Sequence, residues 1–211
     1  QQKTIDEYDD ATAQFSALLS SNVWATYSGT GRTLYFTDSS IIIADPEADP
    51  SKVEKPFVIK GLSTEKVDVG EMKNLTRYNC AYESDDDKTR VLTVDKNDDG
   101  TYFKMSIDVK NSGTNEEYVR TQAAGTFDID GISEDMSALL GDSRSIIEDF
   151  LREQCALYYP TAVEAECNGI LTADFNANEY RVDFSLKDTE DQQLTGITVV
   201  YHLSTKQCEL M

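Results

Sequence analysis

The chain has 211 residues, of which 39 are acidic and 19 basic, so its net charge is −20. Phosphate binding requires clustered lysine and arginine, and this charge therefore argues against nucleic acid as a partner. Hydrophobic residues make up 39% of the chain, enough for a packed core, and no apolar run approaches the roughly 20 residues of a transmembrane helix.

The N-terminal third begins with a predicted helix and continues with predicted strands. Phe15 and Leu19 fall on one face of the segment that ends at Ser20, as in an amphipathic helix. Aromatic and β-branched residues at 23–28 and 33–38, separated by glycines, predict a hairpin, with Trp24 on its first strand. Residues 44–56 contain three of the four prolines, and we expect an exposed loop there.

The middle of the chain alternates between apolar and polar residues, which is typical of half-buried antiparallel strands. Tyr78, Cys80 and Tyr82 share one face of residues 76–83, and Phe103 and Met105 share one face of residues 101–110. We expect these faces to point towards the core.

The C-terminal part predicts a long helix followed by three meandering strands. The helix spans about 134–157, with Ser133 as its N-cap and Gly141 as a point of division. The strands lie at roughly 163–175, 179–187 and 194–204, with Tyr180 and Phe184 facing inward.

The predicted fold class is α+β, a predominantly antiparallel β-sheet or partial barrel with an N-terminal helix and a long helix before three meandering strands. No linker rich in Pro, Gly or Ser divides the chain, so we expect residues 1–211 to form a single domain. If two lobes exist, their boundary lies near residues 131–133. A ligand pocket in such a sheet would be lined by inward aromatic residues, which also suit a solid core: Trp24, Tyr78, Tyr82, Phe103, Tyr180 and Phe184.

The four cysteines predict disulfide bonds. Cys80, Cys155, Cys167 and Cys208 form no C-x-x-C pair, which argues against a zinc ribbon. An even number of cysteines suggests two disulfides and an oxidising compartment, with the pairs Cys155–Cys167 and Cys80–Cys208 favoured. The alternative is four buried thiols in a cytosolic protein. The first residue is Gln, which we interpret as the result of signal-peptide removal, and we expect a secreted, extracellular or periplasmic protein.

The stretch from Asp95 to Gly100 resembles the first half of a calcium loop. Asp95, Asn97 and Asp99 match the ligand positions of an EF-hand, but the twelfth position is Ser106 instead of a carboxylate, and strands flank the segment. A tight hairpin is therefore the preferred interpretation, with Gly100 supplying the positive φ. The alternative is a weak calcium site formed by the same three residues.

The sequence contains no catalytic motif. His202 is the only histidine, and neither a G-x-S-x-G elbow nor a phosphate-binding loop is present. We therefore expect a secreted or cell-surface, non-catalytic binding protein that recognises a protein partner. The first alternative is a carrier of a small hydrophobic ligand, and the second is a hydrolase that uses paired carboxylates. No cofactor other than calcium is expected.

Overall fold

A computed structural model describes residues 2–26, 31–86, 88–109, 114–121, 126–174 and 178–211. The chain divides into two compact units, Gln1–Gln122 and Ala123–Met211, named here the N-terminal and the C-terminal unit. Described residues of the N-terminal unit form one helix and nine strands: α1 (Gln2–Ser20), β1 (Val23–Thr26), β2 (Thr33–Phe36), β3 (Ser40–Ala44), β4 (Lys52–Pro56), β5 (Val58–Val69), β6 (Met72–Glu83), β7 (Thr89–Lys96), β8 (Phe103–Val109) and β9 (Thr114–Thr121).

The nine strands form one antiparallel sheet in the order β4-β3-β2-β1-β9-β8-β7-β6-β5. β4 and β5 are the two edges of this sheet, yet the chain passes from one to the other through Phe57 alone. Both edges therefore meet at Phe57. The sheet must curl to allow this, and it forms a half-barrel.

The concave side of the half-barrel holds the core of the N-terminal unit. Phe57 packs against Phe36 and Tyr82, with ring centroids 5.2 and 4.8 Å away. Helix α1 packs against both β2 and β5, and its Phe15 stacks on Tyr78 at 5.2 Å. The core also contains other side chains that are at most 9% exposed: Leu19, Trp24, Leu34, Ile41, Cys80, Leu92, Val94, Phe103, Met105 and Tyr118.

In the C-terminal unit, helices precede most of a second sheet. Its elements are β10 (Asp128–Asp130), α2 (Glu134–Leu140), α3 (Ser143–Tyr158), β11 (Glu164–Asp174), β12 (Glu179–Lys187), β13 (Gln193–His202) and β14 (Gln207–Leu210). The sheet order follows the chain, with β10 parallel to β11 and the other pairs antiparallel. Helix α3 packs on β13 and β14, and its buried stripe includes Ile147 and Leu151.

This architecture confirms the predicted fold class, including the partial barrel, the N-terminal helix and the long helix before the final strands. Ser133 caps α2 by accepting a hydrogen bond from the Met136 amide at 3.2 Å, and Gly141, with φ of 52°, separates α2 from α3. Two expectations were incomplete, because β4 occupies the end of the predicted loop and β14 follows the three expected strands. The single domain over 1–211 stays a prediction.

The predicted disulfides are wrong. Cys80, Cys155, Cys167 and Cys208 are all free thiols, and the first three are buried. Burial raises the pKa of the Cys80 and Cys155 thiols to about 12 and that of Cys208 to about 11. An even number of cysteines does not show where their side chains point, and here the buried ones pack as small apolar residues. Disulfide bonds therefore no longer support the expectation of an oxidising compartment.

Candidate ligand-binding site

A cavity opens on the concave side of the half-barrel, within the N-terminal unit. Its volume is about 270 Å³, close to the lower end of the range of about 300–1,000 Å³ that is typical of small-molecule sites. Its described lining comes from β2, β3, β4 and β6–β9 and the residues next to them. The cavity therefore depends on strands from both halves of the sheet order, which face each other because the sheet curls.

The floor of the cavity is made of apolar and aromatic side chains that belong to the core or border it. Strand alternation places them on the concave face, and the register sets Leu34 opposite Ile43. The hydroxyl of Tyr118 donates to Glu116 Oε2 at 2.6 Å, so the polar end of this buried ring has a partner. The floor residues are Leu34, Ile41, Ile43, Tyr82, Ile107 and Tyr118.

The rim of the cavity is polar and charged. Arg32 Nη1 lies 2.6 Å from Glu116 Oε1 and Arg32 Nε lies 3.2 Å from Asp45 Oδ2. Lys55 Nζ lies 3.3 Å from Asp85 Oδ2. Such solvent-exposed pairs contribute at most about 1 kcal/mol each to stability, so their main effect is to orient the cations at the rim. The rim residues are Arg32, Lys55, Ser84, Asp85, Arg90 and Glu116.

Two polar atoms of the rim are buried without a hydrogen-bond partner among the described residues, Arg90 Nη1 and Ser84 Oγ. Arg90 Nη2 donates to Asp86 Oδ2 at 3.0 Å. Nη1 lies 2.9 Å from Asp86 Oδ1 as an ion pair, but this approach lacks the alignment of a hydrogen bond. Leaving a buried polar group unpaired costs about 1–3 kcal/mol, so this part of the rim is suited to a ligand with a polar group.

The sheet register brings Arg90 and Ser84 to the same place. Arg90 on β7 lies directly opposite Tyr82 on β6, and Ser84 follows Tyr82 by two residues. Ser84 lies one residue past the end of β6, and its side chain and that of Arg90 line the same cavity. One ligand group can therefore contact both side chains.

Of the six aromatic residues predicted to line a pocket, Tyr82 alone contributes to the described lining of this cavity. Trp24 and Phe103 lie in the core as an edge-to-face pair at 6.4 Å, and the indole Nε1 of Trp24 donates to the Leu19 carbonyl at 3.1 Å. Tyr78 packs under helix α1. These residues support the scaffold of the half-barrel and not its cavity.

Tyr180 and Phe184 belong to the C-terminal unit and are not among the described residues that line this cavity. Tyr180 stacks on Tyr201 at 6.2 Å, and Phe184 is fully buried. Both residues face inward on β12 as the alternation predicted, and they pack in the sheet of their own unit.

The sequence analysis missed the charged rim residues, although one signal for Arg90 was present. Arg90 shares a face of β7 with Leu92 and Val94, which are both fully buried. A charged residue on an otherwise apolar inward face is costly unless another group pairs with its charge. The other rim residues lie next to turns or near strand ends, where polar residues are ordinary.

The calcium candidates lie in a hairpin, and most of their side-chain oxygens already accept hydrogen bonds. Asp95 binds Arg77 through both carboxylate oxygens, at 2.7 and 2.8 Å. Asn97 Oδ1 accepts the Tyr102 amide at 2.9 Å. Asp99 Oδ1 accepts the hydroxyl and the amide of Thr101 at 2.7 and 3.0 Å, and these hydrogen bonds lower the Asp99 pKa. Among the described residues, no group of three or more His, Cys, Asp or Glu side chains is arranged to hold a metal ion.

His202 lies on the opposite face of β13 from the buried Tyr201. Its Nε2 is 3.0 Å from Glu209 Oε1, and Glu179, 3.6 Å from its Nδ1, is already paired with Arg181 at 2.6 Å.

In the described ranges, no helix combines the length and apolar character needed to cross a membrane. No protein-family model, curated protein or solved structure matches this chain.

Proposed function

We propose that this chain is a non-catalytic binding protein that carries a small, mainly apolar ligand in the cavity of the half-barrel. The observation that carries this proposal is that two buried polar atoms, Arg90 Nη1 and Ser84 Oγ, lack an aligned hydrogen bond beside an apolar floor. A cavity of this size suits a small molecule better than a protein surface. For this reason the carrier, which the sequence ranked second, is preferred to a protein-recognition module.

The scaffold supports binding because the floor exists before a ligand arrives. Leu34 and Tyr118 are each 1% exposed and are held by the core behind them. A ligand that buries about 200 Å² of apolar surface gains about 5 kcal/mol from desolvation. Part of this gain is lost to immobilisation of the ligand, so an affinity in the millimolar range is expected.

A secreted, extracellular or periplasmic location is part of the same proposal. Its support is the net charge of −20, which favours solubility in a salty medium. The free thiols give it no support. Fractionation of the source cells with an antibody against the chain tests the location, and recovery in the cytosolic fraction alone would overturn it.

The cavity is tested with the neutral fluorescent probe N-phenyl-1-naphthylamine. Ile43→Trp fills the cavity from its floor, whereas Val58→Trp places the same side chain at a position that is 48% exposed on β5. The wild type and Val58→Trp should bind the probe saturably, and Ile43→Trp should bind it at least tenfold more weakly. Equal binding by the two variants, or no saturable binding by the wild type, would overturn the proposal.

A further inference from the structure

We infer that the ligand is an amphipathic carboxylate and that Arg90, assisted by Ser84, selects its charged head. This inference rests on the proposed function of the half-barrel cavity and adds the chemical class of its ligand. It follows from the cations of the rim, from the low exposure of Arg90 and from the lack of an aligned hydrogen bond at Arg90 Nη1 and Ser84 Oγ.

The described lining of the cavity is richer in cations than the chain as a whole. Three cationic and two anionic side chains line the cavity, in a chain whose net charge is −20. Asp45 and Asp86 pair with Arg32 and Arg90 from outside the described lining. With those two carboxylates counted, three cations and four anions surround the cavity, so selection of an anion depends on the local donors of Arg90 and Ser84 and not on a net positive charge.

Arg90 is the best placed of the three cations. Its side chain is 21% exposed, compared with 47% for Arg32 and 38% for Lys55. Arg32 is shared by two carboxylates and Lys55 contacts one. Hydrogen bonds between charged partners strengthen as water is removed, so the least exposed cation discriminates most strongly between an anion and a neutral group.

The unused donors match the geometry of a carboxylate. A guanidinium presents five N–H donors in a planar fork, and the pair with Asp86 leaves Nη1 without an aligned acceptor. The Ser84 hydroxyl is a further donor in the same lining. One carboxylate oxygen can accept from Nη1 and the other from Ser84, while the hydrocarbon part lies on Leu34, Ile41 and Ile43.

The test is displacement of N-phenyl-1-naphthylamine by three ligands with one hydrocarbon chain and different heads: octanoate, octanol and octylammonium. The wild type should require at least tenfold less octanoate than octanol for half-displacement, and octylammonium should be the weakest. Added salt should reduce the advantage of octanoate, because screening weakens the charged contact more than the apolar one.

Variants assign the selectivity to Arg90. Arg90→Gln should weaken octanoate at least tenfold and leave octanol within twofold, and Ser84→Ala should weaken octanoate about threefold. Arg144→Gln is the matched control, since it removes one guanidinium from an ion pair with Glu148 in the C-terminal unit, and it should change neither ligand. Arg90→Lys keeps the charge but not the fork, and it should fall between the wild type and Arg90→Gln.

The outcomes separate the two proposals. If the probe binds but octanoate and octanol displace it equally, or if Arg90→Gln weakens both equally, the carboxylate inference fails and the carrier stands. If the probe does not bind the wild type, both fail. If Arg90→Gln does not fold, Arg90→Lys is compared with the wild type instead. A preference for octanoate over octanol that Arg90→Lys keeps in full would overturn the role of Arg90.

Discussion

The rings of Phe57 and Tyr82 lie 4.8 Å apart, and this contact joins the corner of the fold to its cavity. Phe57 is the one residue between the two edge strands of the nine-stranded sheet, whereas Tyr82 belongs to the cavity floor. The contact that holds the sheet curled therefore also positions part of the candidate binding surface.

Replacement of Phe57 by Ala should destabilise the protein by about 3–5 kcal/mol, because it removes a buried ring that packs on two others. Urea unfolding measures the change. Val58→Ala is the control, because Val58 directly follows Phe57 and is 48% exposed. It should cost less than about 0.5 kcal/mol. Similar losses in the two variants would show that Phe57 does not close the half-barrel.

Strand alternation was sufficient to predict the central strands of the half-barrel, but not its edges. Strand β5 carries register shifts between Ile59 and Gly61 and between Val67 and Val69, which interrupt the alternation. Strand β4 is a short edge strand with Lys52 and Pro56 at its ends, a composition that suits a loop equally well. Both segments become strands through pairing with distant neighbours, which local patterns do not report.

The candidate site was harder to predict than the fold. Tyr82 was found because inward aromatic residues are visible in the alternation, but Arg90 was not among the predicted site residues, because a charged side chain gives no such signal. The cavity arises only when the sheet curls, and the curl requires β1 to pair with β9 across almost the whole N-terminal unit. No spacing within either strand indicates that pairing.

Replacement of Gly131 by Ala should destabilise the protein by more than about 2 kcal/mol. Gly131 has φ of 80°, and a Cβ there would lie 2.6 Å from the Cys167 carbonyl oxygen. Gly70→Ala is the control, because Gly70 has φ of 58° in the turn between β5 and β6 with nothing within 4 Å of the position of a Cβ, and it should cost only about 1–2 kcal/mol. Denaturant unfolding that ranks the two variants in the opposite order would contradict the close approach of Gly131 to Cys167.

Millimolar calcium should leave the thermal unfolding midpoint unchanged relative to EDTA. A ligand that binds the folded state must raise the midpoint, but the carboxylate of Asp95 is held by Arg77 and that of Asp99 by Thr101. A rise in the midpoint with calcium that disappears in Asp95→Asn would restore the calcium site.

Alkylation followed by mass spectrometry should label the thiols in order of exposure. Iodoacetamide at about pH 8 should modify Cys208 first, since the thiolate is the reactive form and burial suppresses it most at Cys80 and Cys155. In concentrated guanidinium chloride without reductant, all four cysteines should be labelled, because all four are free. Fewer than four labels under those conditions would show a disulfide.

The free energy of unfolding should decrease as the pH rises above about 9. Burial holds the pKa of Cys80 and Cys155 at about 12 in the folded protein, whereas an unfolded cysteine ionises near pH 8.5. Between these values the folded state binds more protons than the unfolded state, so each thiol lowers stability by up to about 1.4 kcal/mol per pH unit as the pH rises.

Urea unfolding of the wild type and of Cys80→Ala across this alkaline range isolates the effect of one thiol. The variant loses a buried sulfur and should be less stable at neutral pH, but its stability should fall less steeply with pH because one ionising group is gone. The difference between the two slopes should vanish below about pH 7, where both folded and unfolded thiols are neutral. Parallel slopes above pH 9 would mean that Cys80 ionises in the folded state as readily as in the unfolded chain, and that its burial beneath the strands of the half-barrel is incorrect.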